Sequence, residues 1–103
     1  MNDEADYLTA CQAAIAKSRN LGYAPTAWEQ MIDRHGAVEA SRRLVHSTNV
    51  NSGLLRLLVL GCEELTVERA VLDERWADLF DDQDRFMAQK HLDAARWQRD
   101  NGQ

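Results

Sequence analysis

Every apolar pattern longer than eight residues in this chain repeats with the 3.6-residue period of an α-helix, and none alternates convincingly with the two-residue period of a half-buried strand. Helices that each bury one stripe satisfy it against one another, so the pattern predicts an all-α fold, a compact bundle of five to six short helices with no significant sheet. At 103 residues there is room for one core, because two would each have too little apolar surface to bury. A single domain is expected over 1–103, with an N-terminal helix over 3–22, a core over 23–80 and a C-terminal helix over 81–100.

The first stripe is Ala5, Leu8, Cys11 and Ile15, with Asp3, Glu4 and Asp6 placed to oppose the helix dipole and Gly22 as C-cap. Pro25, the only proline, precedes Thr26 and Glu29, which have capping-box spacing, and the second stripe runs Trp28, Met31, Ile32, His35 to a stop at Gly36. Ala37, Val38, Ser41, Leu44 and Val45 form the third, and Ser47 to Gly53 reads as the longest internal loop. Leu54 to Leu60 is apolar nearly all round and is expected at the centre of the core; a buried strand is the rival reading of so short a run. Thr66 caps a helix carrying Val67, Ala70 and Val71. Its apolar face continues through Leu72, Trp76, Leu79 and Phe80 after a kink near Asp73 and Glu74. Asp81 and Asp82 open the last helix, which turns Met87, Ala88, His91, Leu92 and Ala95 inward.

Cys11 and Cys62 offer a single possible pair, too few for a disulfide scaffold, and both read as buried small hydrophobes. The acidic N-terminus lacks a signal peptide's basic and apolar regions, and Leu54 to Cys62 is half the roughly 20 residues a bilayer requires, so a cytoplasmic, non-membrane protein is expected. No catalytic, cofactor or metal motif is present: a Cys–His nucleophile would have to join Cys62 to His35, His46 or His91, and Glu63 and Glu64 would raise that thiol's pKa. Asp82-Gln83-Asp84 begins like a calcium loop but has Met87 where the turn glycine belongs, and Gly36, Gly53 and Gly61 are too far apart to cradle a phosphate.

Charge is unevenly placed. The formal net charge of −5 disfavours a grip on phosphate or anionic lipid. Between Arg34 and Arg56 four arginines meet only Glu39, which makes Arg34, Glu39, Arg42, Arg43, His46 and Arg56 a candidate recognition surface; Glu39 can also pair with Arg42 and Arg43 at i+3 and i+4. From Glu63 to Asp84 nine acids face two bases, and Glu63, Glu64, Glu68, Asp73, Glu74 and Asp78 make a second, acidic surface. Because Ala37, Ser41, Leu44 and Val45 carry the packing, reversing the charge of Arg42 and Arg43 is expected to leave the fold intact.

The string Gly22-Tyr23, Pro25-Thr26, Trp28, Met31-Ile32, Gly36 to Val45, Ser52-Gly53-Leu54, Arg56-Leu57, Leu65 to Glu68, Trp76 and Leu79-Phe80 resembles an uncharacterised bacterial module of small helical proteins, found alone or appended to larger ones. The resemblance implies an accessory or interaction role rather than a self-contained enzyme. The expected function is therefore a non-enzymatic protein–protein interaction module, with a protein partner or self-association through the opposed acidic and basic faces. A nucleic-acid-associated factor using the Arg34–Arg56 face and a phage-related acidic inhibitor mimicking nucleic acid are the alternatives.

Overall fold

A computed structural model describes residues 3–47 and 52–102. Six α-helices follow in order: α1 (Glu4–Asn20), α2 (Thr26–His35), α3 (Ala37–Val45), α4 (Ser52–Val59), α5 (Val67–Leu72) and α6 (Asp82–Asn101), with 3-10 turns at Glu63–Leu65 and Glu74–Leu79. No strand occurs among the described residues, and none of their helices is long and apolar enough to cross a membrane. Of the expected Ser47–Gly53 loop, positions 48–51 lie outside the described residues, while Ser52 and Gly53 already belong to α4.

The caps explain most boundaries. Asp3 accepts from the amide of Asp6 at 3.0 Å, and Thr66 accepts from that of Arg69 at 3.1 Å. Asp81 and Asp84 form a reciprocal capping box that opens α6. The expected Thr26–Glu29 box is not formed: Pro25 is the N-cap residue of α2 and no side chain caps that end. Pro25 lies outside the helix, at φ −80° and ψ 66°, and Glu29 is drawn instead to the guanidinium of Arg19 on α1. Gly36 alone joins α2 to α3, at φ 83°, a left-handed conformation that a side chain would strain.

Tyr7, Cys11 and Ile15 of α1 pack with Trp28, Ala37, Val45, Val71, Trp76 and Phe80 in the main core. Tyr7 is fully buried at its centre, with Trp76 and Phe80 edge-on at centroid distances of 5.4 and 5.3 Å. The buried register of α1 thus runs through Tyr7 rather than through Ala5, which is exposed, or Leu8, which is half-buried. What permits a tyrosine there is Ser41 of α3, which donates to the carbonyl of Ala37 at 2.8 Å and shares a 2.7 Å hydrogen bond with the phenol. On α2, Trp28 is buried, Met31 and Ile32 are half-buried, and His35 is exposed at the C-terminal turn.

The apolar run is helical from Leu54 to Val59, and its expected place at the centre of the core is corrected. Leu54 and Leu58 form a satellite cluster with Leu92 and Ala95 of α6, Leu57 is also buried, but Val59 and Leu60 are 66% and 45% exposed. α4 packs on α6 and the 3-10 turn at Glu63–Leu65, which leaves Val59 and Leu60 in solvent. The last helix matches its expected pattern, with Ala88, Leu92 and Ala95 buried and Met87 and His91 half-buried.

Candidate functional site

The opposed acidic and basic blocks read from the sequence meet at one point, where Asp84 and Asp81 face Arg42 and His46. Asp84, in the first turn of α6, is buried, with a side-chain exposure of 1%. Its Oδ1 lies 2.7 Å from Nε2 of His46, and its Oδ2 lies 3.1 Å from both Nε of Arg42 and the backbone amide of Asp81. Burial alone would raise this carboxyl's pKa, but the hydrogen bonds from His46, the Asp81 amide and Arg42, with the Arg42 charge, outweigh it and hold it below the usual carboxylate value. Both oxygens therefore face structural donors, and the cluster fastens α6 to the C-terminal turn of α3.

This arrangement changes the reading of the basic surface. Arg42 and His46 lie on one face as expected, yet they clamp Asp84 rather than standing free for a partner. Glu39 pairs with Arg43 at 3.0 Å, while Arg42 turns instead to Asp84 and, at 3.9 Å, to Asp81. Reversing the charge of Arg42 would set a carboxylate against buried Asp84, so harmless reversal is no longer expected at Arg42 and stays an expectation only for Arg43, which is exposed beside Glu39. Arg34 is exposed in the last turn of α2 and Arg56 is exposed on α4.

The acidic block is likewise drawn into pairs. Glu63 receives two hydrogen bonds from Arg96 at 2.8 and 2.5 Å and lies 3.6 Å from Arg69, which places its pKa below the ordinary value chiefly through the Arg96 hydrogen bonds. Glu68 is not a surface residue: it is 1% exposed and 3.5 Å from Nδ1 of His91. It sits on the inward side of α5, where α5 packs on α6. Asp73 accepts from the amide and guanidinium of Arg75, and Glu74 is 3.1 Å from Arg85. Glu64 and Asp78 are exposed.

The groups considered for nucleophilic or metal chemistry are dispersed. His46 is committed to Asp84, His91 faces Glu68, and His35 is exposed. Cys11 is buried and its thiol pKa is pushed up to about 11 by burial, opposite to what a nucleophile requires. Cys62 is half-buried rather than buried, with its sulfur 3.6 Å from the carbonyl of Leu60. Among the described residues no group of three or more His, Cys, Asp or Glu is placed to hold a metal ion.

The feature not anticipated from sequence lies on α6. Phe86 and Trp97 are 61% and 65% exposed. At about 100° per residue, eleven residues bring them within about 20° of one another, opposite the buried stripe of Ala88, Leu92 and Ala95. Between them on that face stand Lys90 and Asp93, both exposed. The signal was present: once Met87, Ala88, His91, Leu92 and Ala95 are assigned inward, two large aromatics remain on the other side. Comparison with family models, curated proteins and solved structures finds no match for the chain.

Proposed function

We propose that this chain is a non-enzymatic helical protein–protein interaction module, an accessory or regulatory domain of the bacterial kind its sequence resembles, and that it docks through the outward face of α6. The observation that carries this reading is the pair Phe86 and Trp97, left 61% and 65% in solvent on one stripe of the longest helix. Large aromatics flanked by charges are the residues on which interface energy concentrates. The commitment of Arg42 and His46 to Asp84 weighs against the Arg34–Arg56 face as the main contact surface, and the net charge of −5 weighs against nucleic acid there.

The test uses the tagged full chain as bait in an extract of its native host, comparing wild type, Phe86→Ser/Trp97→Ser and Arg43→Glu. The stripe variant is expected to lose at least about tenfold of the captured partner, because truncating interface aromatics removes their buried area, while Arg43→Glu captures as wild type does. Both variants should melt as wild type does, since the altered side chains are exposed. Undiminished capture by the stripe variant, or loss with Arg43→Glu alone, contradicts the reading.

A further inference from the structure

The outward face of α6 is complementary to itself. Phe86, Lys90, Asp93 and Trp97 are spaced four, three and four residues apart, the spacing with which one helix lies along another. Their order is also symmetric. A two-fold axis crossing α6 midway between His91 and Leu92 exchanges the positions of Phe86 and Trp97, and those of Lys90 and Asp93.

We infer that two copies of this chain pair through antiparallel α6 helices, with Phe86 of each against Trp97 of the other and Lys90 of each against Asp93 of the other. The inference rests on the reading of this face as the docking surface and names its occupant. Charge sets the orientation: antiparallel pairing makes two opposite-charge contacts, whereas parallel pairing sets Lys90 against Lys90 and Asp93 against Asp93. Asp93 accepts from Gln89 Nε2 at 2.9 Å and lies 3.9 Å from Arg96, yet its side chain is 65% exposed, so its charge faces the approaching copy. The contact is isologous and closes at a dimer; the open chains or rings that complementary acidic and basic faces would build are not required. The 20 residues of α6 span about 30 Å, and one such helix pair buries less than the roughly 1,200–2,000 Å² of a stable complex. Association through so small a contact is accordingly expected to be weak and reversible.

The experiment is sedimentation equilibrium of the full chain from about 1 µM to about 1 mM, for wild type, Lys90→Glu, Asp93→Lys and the double exchange Lys90→Glu/Asp93→Lys. Antiparallel pairing predicts that each single variant weakens dimerisation about tenfold or more, since it sets like charges together at both central contacts, and that the double exchange restores it. In a parallel pair every single exchange replaces one like-charge contact by another, so the four proteins would behave alike. Identical dimerisation of all four, failure of the double exchange to restore it, or a wild-type monomer throughout overturns the inference. If wild type is monomeric while Phe86→Ser/Trp97→Ser still loses a host partner, self-pairing fails and the interaction reading stands; if that variant also loses nothing, both fail.

Discussion

Replacing Trp76 with alanine should lower stability by about 3–5 kcal/mol, the range for removing a large buried aromatic, out of a total that for a single domain is about 5–15 kcal/mol. Trp76 is 4% exposed and lies in the main core with its ring edge-to-face with Tyr7, so the lost side chain leaves a cavity between α1 and the 3-10 turn at Glu74–Leu79. The guanidinium of Arg75, which Asp73 also holds, lies 5.1 Å over the same indole and loses that cation–π contact. In a chain of this size the melting temperature should fall by about 15 °C or more, as circular dichroism at 222 nm would record. An unchanged melting curve would mean that the Tyr7–Trp76–Phe80 cluster is not the centre of the core.

Asp84→Ala should cost about 2–4 kcal/mol, combining the loss of a cap with that of charge-assisted hydrogen bonds. The substitution removes the contacts to Arg42 and His46 together with half of the capping box. The effect has a definite pH dependence. The folded-state pKa of Asp84 is lowered, so the unfolded chain binds its proton first as pH falls. Its contribution is therefore complete well above the ordinary aspartate value of about 4 and is lost as pH drops through the folded-state value. Urea unfolding at neutral pH and near pH 3 should show the difference between wild type and Asp84→Ala shrinking in acid. A constant difference, or none at neutral pH, would remove Asp84 from the place given to it.

What was legible in the sequence was whatever is set within one or two helical turns. Thr66 and Asp81 announce helix starts and each does cap, and Asp3, read only as a charge opposing the dipole, caps as well, whereas the equally local Thr26–Glu29 box does not form because Pro25 takes the N-cap position and Glu29 pairs with Arg19. The stripe Ala88, Leu92, Ala95 announces the buried side of α6. What was not legible depends on partners far along the chain. Tyr7 becomes the most enclosed aromatic because Ser41, 34 residues away, receives its hydroxyl. Arg42 and His46 read as a recognition face until Asp84, 42 and 38 residues on, occupies them. Glu68 belonged to an acidic run, and only the packing of α5 on α6 turns it inward against His91. The run from Leu54 to Leu60 shows the converse: its uniform hydrophobicity predicted enclosure, but α6 covers one side and leaves Val59 and Leu60 in solvent.

The contact face can be observed most directly through the indole N–H resonances of the three tryptophans, followed in a dilution series from about 1 mM to about 10 µM, across which a weak association changes its populated fraction. Trp28 and Trp76 are buried, and Trp97 stands exposed at the C-terminal end of the outward stripe of α6. The Trp97 indole and the amides of Phe86, Lys90 and Asp93 are expected to shift together with concentration while Trp28 and Trp76 stay fixed. A motionless Trp97, with shifts confined to the amides of Arg34, Arg43 and Arg56, would place the contact on the basic face and contradict that expectation.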